Sequence, residues 1–104
     1  MKTIGHALLA AILTAAVFAQ NSNSPPPLTA SAVYQHNCSK CHGKSAEGRT
    51  FAGPSLVSQK TTSMSADDLR KIIAEGRHRM PKFEGKLTAE EIDALVSQIK
   101  THNK

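Results

Sequence analysis

The chain has 104 residues, 39% of them apolar and 4% aromatic, with three Phe, one Tyr and no Trp. That suffices for one small domain but gives little apolar mass for a self-sufficient core, so a staple or bound group is expected. The formal net charge is +5, and two cysteines are too few for a disulfide framework.

The N-terminus reads as a targeting segment. Lys2 supplies a positive start, and residues 7–18 are apolar apart from Thr14. Val17-Phe18-Ala19 is a small-x-small cleavage pattern, so residues 1–19 read as a secretory signal peptide with Gln20 as the mature terminus. The apolar run is short for a membrane span; the alternative is an uncleaved anchor. No Cys follows it, which argues against a lipid anchor. Residues 20–27 are a Ser/Asn/Pro-rich linker, unable to bury apolar area. One domain follows, over residues 28–104.

That domain is expected to be all-α. Ala30, Val33, Tyr34, Cys38 and Cys41 recur at helical spacing, and Gly43 stops the helix they define. Residues 43–55 read as loop, broken by Gly43, Gly48, Gly53 and Pro54. Ser65-Ala66-Asp67-Asp68 reads as a helix start with Asp in place of Glu. Leu69, Ile72 and Ile73 then share a face, and Gly76 ends the helix. Thr88-Ala89-Glu90-Glu91 is a second start, followed by the apolar stripe Ile92, Leu95, Val96 and Ile99. No strand pattern and no repeat is evident.

Cys38-Ser39-Lys40-Cys41-His42 is a C-x-x-C-H motif, the signature of covalent c-type haem attachment. Thiols three apart share one helix face. Each can add to one haem vinyl group, and the next residue can place its imidazole under the ring. A thioredoxin-like motif would need a βαβ context, and a structural zinc site would need four ligands. A buried haem would also supply the missing apolar mass.

The order of motifs over about residues 28–101 resembles that of the class I c-type cytochromes. Ala30, Tyr34 and Cys38 follow the family's first helix, Gly53-Pro54-Ser55-Leu56 its G-P-x-L loop, and Met80-Pro81-Lys82-Phe83 its M-P-x-F loop. The resemblance implies three to four helices wrapped around one haem c, covalent through Cys38 and Cys41. It implies His42 as proximal and Met80 as distal iron ligand. Pro54 would accept a hydrogen bond from His42, and Leu56 would pack on the haem. Met64 and His78 are weaker alternatives for the distal position, and His36 and His102 are not expected to bind iron. Two positions depart from the family pattern: Ala30 stands where Gly is usual, and Gln98 where an aromatic is usual. Those two are expected to face each other where the terminal helices cross, loosening that contact.

The implied function is one-electron transfer between exported or membrane-bound redox partners, in the periplasm or an equivalent space. The chain would be an electron-transfer protein, not an enzyme. No Ser/His/Asp set, carboxylate pair or phosphate-cradling loop argues otherwise. Alternatives are a cytochrome c subunit of an exported dehydrogenase or oxidase complex, and a haem sensor with a labile distal ligand. Lys40, Lys44, Arg77, Arg79, Lys82 and Lys86 fall in segments expected near the haem edge and suit a partner with an acidic docking surface. The protein is expected to be monomeric. Nucleic acid is not an expected partner for an exported haem protein with so few aromatics.

Overall fold

Ser31 starts the first helix. Its hydroxyl accepts from the Tyr34 N–H at 3.2 Å, satisfying one of the donors a helix start leaves free. The computed structural model describes residues 26–101, together with Gly5. The expected signal peptide and most of the linker therefore lie outside the described residues.

Helix α1 spans Ala32–Asn37 and α2 spans Ser39–His42. Between them Cys38 leaves ideal geometry, at φ −116°. Gly43 ends α2 with φ +89°, a conformation that favours glycine. Ala30 is not on this helix. It lies in a 3₁₀ turn, Leu28–Ala30, with Ser31 extended between turn and helix. The physical reason is local: the Ser31 side chain caps the helix one residue after Ala30.

The segment 43–55 is irregular, as expected; the irregular stretch continues to residue 58 and leads into a one-turn helix α3, Gln59–Thr62, that the apolar pattern does not foreshadow. Ser58 caps it, and the Thr61 hydroxyl donates to the Ser55 carbonyl at 2.7 Å. Helix α4, Ala66–Glu75, begins where Ser65 Oγ accepts from the Asp68 N–H at 3.0 Å. Asp67 and Asp68 in its first turn complement the positive end of the helix dipole. Helix α5, Ala89–Lys100, carries a reciprocal capping box: Thr88 Oγ1 accepts from Glu91 N–H, and Glu91 Oε1 accepts from Thr88 N–H.

The core forms where α4, α5 and the 3₁₀ turn meet. It contains Leu28, Tyr34, Leu69, Ile73, Phe83, Ile92, Leu95, Val96 and Ile99, each contributing about 1.5–3 kcal/mol if fully transferred from water. The stripe expected on α5 is buried throughout. On α4, Leu69 and Ile73 are buried and Ile72 is half-buried. Outside the core, Arg70 ties the two helices by pairing with Asp67 on α4 and Asp93 on α5. Among the described residues there is no strand; three isolated bridges, Arg49–Gly53, Arg77–Met80 and Glu84–Leu87, close turns.

The expected meeting of Ala30 and Gln98 takes a different form. Ala30 is exposed, whereas Gln98 is buried at 6% exposure. The 3₁₀ turn packs on α5 and inserts Leu28, which is 1% exposed, into the core. Displacing Ala30 from the helix leaves Leu28 as the residue this turn buries.

Candidate haem site

Cys38 and Cys41 flank the turn that opens α2, and neither is in a disulfide. The Cys38 carbonyl accepts from the N–H groups of both Cys41, at 3.2 Å, and His42, at 3.0 Å. The motif is thus wound into one tight turn that projects both thiols and the imidazole from a short span. Cys38 is half-buried and Cys41 exposed. Burial, reinforced by the neighbouring Cys41, pushes the Cys38 thiol up to about 11.

Tyr34 anchors this turn from below. It is fully buried, and its hydroxyl donates to the Gly43 carbonyl at 2.6 Å. Burial, with a smaller contribution from Cys38, pushes its phenol up to about 12. Gln35 adds a second brace, donating from Nε2 to the carbonyls of Thr29 and Lys44.

His42 is buried, and its Nδ1 lies 2.8 Å from the Pro54 carbonyl oxygen. A carbonyl only accepts, so Nδ1 carries the proton and Nε2 keeps its lone pair for a metal. Gly53 permits this approach. A Cβ there would sit 2.9 Å from the Cys41 carbonyl oxygen and 3.2 Å from His42 Nδ1. Leu56 follows, half-buried against the core, with its N–H donating to the Ala46 carbonyl at 2.8 Å.

The loop after α4 forms the other side. Arg77 and Met80 exchange backbone hydrogen bonds at 3.1 and 2.9 Å, with His78 at φ +54° in the turn between them. Gly76 precedes the turn at φ +80°, where a Cβ would lie 2.6 Å from the Met80 carbonyl oxygen. After Pro81 the chain returns along α4. Phe83 and Glu84 donate to the Ile73 and Ala74 carbonyls at 3.0 and 3.1 Å, satisfying acceptors the helix end leaves free. Phe83 is buried in the core, while Met80 is half-buried against it.

Of the other candidates, Met64 is also half-buried against the core, and its carbonyl accepts from Lys100 Nζ at 2.6 Å. His78 and His36 are exposed, and His102 lies outside the described residues. Sequence reasoning misses several supporting contacts: the Tyr34–Gly43 hydrogen bond, the Gln35 brace and the close approach at Gly53. Only Gly53 carries a readable sign, as a glycine inside the G-P pair.

The donor set suits a c-type haem. Two unpaired cysteines lie three apart, an imidazole follows with one nitrogen already committed, and half-buried apolar side chains lie nearby. The fold and this arrangement define a small c-type cytochrome domain. The chain belongs to the family described as cytochrome c oxidase, cbb3-type, subunit III, whose model matches residues 25–98. The members of this c-type cytochrome family are electron carriers with covalent haem c, not enzymes in themselves, and Cys38 and Cys41 have the attachment spacing.

Cytochrome c-555 of Methylococcus capsulatus (strain ATCC 33009 / NCIMB 11132 / Bath) is 39% identical over 67 residues, which are 64% of this chain and 53% of the relative. The chain thus spans about half the length of that curated relative. Among solved structures, the dihydro-heme d1 dehydrogenase NirN is 30% identical with TM-score 0.63, over 69% of this chain and 16% of that one. The c-type cytochrome NirC is 25% identical with TM-score 0.60, over 71% of this chain and 85% of that one.

Proposed function

We propose that this protein is an exported one-electron carrier whose covalent haem c is ligated by His42 and Met80. The carrying observation is the 2.8 Å contact between His42 Nδ1 and the Pro54 carbonyl, on the residue that follows Cys41. It orients the imidazole and raises its donor strength. Cys38 and Cys41 hold the cofactor through thioethers. Met80 stands in a turn locked by its exchange with Arg77, and the buried Phe83 keeps water from that side. When bound, haem with a His/Met pair supplies a one-electron couple at a higher potential than two His ligands would give. Leu56 would pack on the cofactor, and the domain read over residues 28–104 would enclose it.

Export rests on residues 1–19, read as a signal peptide, with 20–27 as a linker. Among the described residues no helix is long and apolar enough to cross a membrane. The partners are redox proteins with acidic docking surfaces, met by the exposed Lys40, Lys44, Arg77, Arg79, Lys82 and Lys86.

A second reading is an electron-transfer subunit within a larger dehydrogenase or oxidase complex. Two observations favour it: the family description names an oxidase subunit, and the NirN likeness covers only 16% of that longer chain.

A redox titration of the purified holoprotein with optical spectra tests the reading. One reversible one-electron wave, an iron–thioether charge-transfer band in the ferric form and no carbon monoxide uptake by the ferrous form are expected. Carbon monoxide binding at neutral pH would replace the carrier with a haem sensor. Co-purification in a stable complex would favour the subunit reading.

A further inference from the structure

Among the described residues Phe51 is the one large apolar side chain left in solvent, at 94% exposure. A single exposed apolar residue needs no explanation by itself. Three further observations bear on this one. The first is its backbone, at φ +61°, a left-handed conformation uncommon for an aromatic residue. The surrounding turn is closed: Arg49 N–H donates to the Gly53 carbonyl at 3.0 Å, and the N–H groups of Ala52 and Gly53 donate to the Arg49 carbonyl at 3.0 and 3.2 Å. The ring is therefore held outward by a tied turn.

The second is its place. Arg49 Nη1 donates to the Lys40 carbonyl at 2.6 Å, joining the turn to α2. Arg79 Nη1 donates to the carbonyl of Phe51 itself at 3.5 Å, joining it to the turn that carries Met80. Phe51 thus stands between the two segments that flank the candidate haem site.

The third is charge. Residues 40–53 and 77–86 together carry seven Lys/Arg and two Glu, whereas α4 and α5 together carry three Lys/Arg and six Asp/Glu. The segments flanking the candidate site are thus net positive and the two long helices net negative, an asymmetry that orients the protein as it approaches a charged partner.

We propose that Phe51 is the apolar anchor of a docking face for a redox protein that offers an apolar depression rimmed by carboxylates. This rests on the electron-carrier reading above. The cations set the rate and orientation of encounter, and burial of the ring lengthens it. An aromatic anchor inside a polar rim is where binding energy concentrates. A second copy of this chain is a poor occupant, since its own cationic face would be repelled.

The test measures electron transfer from the reduced holoprotein by stopped flow to two oxidants, ferricyanide and the acidic copper protein plastocyanin. Phe51→Ala should slow the plastocyanin reaction about tenfold, by a similar factor at low and high salt. Phe51→Leu should restore most of that loss, and ferricyanide rates should stay within about twofold of wild type. An unchanged plastocyanin rate in Phe51→Ala, with Lys82→Gln slowed, would overturn the anchor and leave docking to charge alone. Equal slowing with both oxidants would overturn it in favour of a structural role. Phe51-dependent sedimentation with phosphatidylserine vesicles would reassign the face to a membrane. If the wild type reduces neither oxidant, the electron-carrier reading itself falls, and the anchor with it.

Discussion

The imidazole of His42 and the carbonyl of Pro54 meet at 2.8 Å across a loop that begins where α2 ends. The contact exists because Gly53 has no side chain. A Cβ at that position would press on the Cys41 carbonyl, a backbone atom that cannot yield. One glycine therefore lets the loop close on the motif turn and choose which ring nitrogen faces a metal.

The distal side is tested by Met80→Ala. Haem should remain attached, because attachment depends on Cys38 and Cys41, and helicity by circular dichroism should change little. The iron–thioether charge-transfer band should vanish and the reduction potential should fall. The ferrous variant should take up carbon monoxide. Survival of the band would pass the role to Met64, which is also half-buried against the core.

Gly76 and Gly85 make a matched pair for the loop. Both have positive φ, +80° and +88°. A Cβ at Gly85 meets nothing within 4 Å, whereas one at Gly76 meets Met80 O at 2.6 Å and Lys82 N at 2.9 Å. Gly85→Ala should cost about 1–2 kcal/mol, the strain of a left-handed alanine alone. Gly76→Ala should cost roughly 1 kcal/mol more or greater. It should also weaken the Met80 band, while Gly85→Ala leaves it intact. Urea unfolding and optical spectra of the two holoproteins read both effects.

Tyr34 gives an alkaline limit to stability. Its phenol is pushed up to about 12 from 10.0, chiefly by burial. The unfolded chain releases that proton above pH 10, while the folded chain holds it until about 12. Stability from this group is thus fully present below pH 10 and is lost as pH rises through 12. The burial contribution persists once Cys38 is a thioether. Tyr34→Phe should flatten the fall in stability over this window. It should also lower stability at neutral pH by about 1 kcal/mol, through loss of the hydrogen bond to Gly43. Denaturant titrations from pH 7 to pH 11.5 measure both.

Gln98 is a site for stabilisation. Its Oε1 is buried and has no hydrogen-bond partner among the described residues. Replacing an unsatisfied polar group by an apolar one of similar size removes a desolvation cost of about 1–3 kcal/mol. Gln98→Leu should therefore raise the midpoint of thermal unfolding without changing the optical spectrum. A lower midpoint would show that the amide is satisfied in solution.

The sequence by itself determined the local features. The caps at Ser65 and Thr88, the stripe on α5 and the stops at Gly43 and Gly76 all depend on neighbours within a turn or two. Composition and the Cys38–His42 spacing together pointed to a haem-stabilised domain. The pairing of His42 with Pro54 was legible only through the resemblance, since the spacing of the two residues does not state which carbonyl a ring will meet. Tertiary structure decided the rest. Ala30 has the helical spacing of Tyr34 and Cys38, yet capping by Ser31 puts it in a separate turn and sends Leu28 inward instead. Whether Gln98 is buried depends on the surface packed over it, not on its place in the helical repeat. Phe51 is apolar and stays in solvent, because the turn from Arg49 to Gly53 closes through backbone hydrogen bonds that point its side chain away from the core. A hydrophobic residue is buried only when the chain has a partner surface to set against it, and that surface is assembled from segments far apart in sequence.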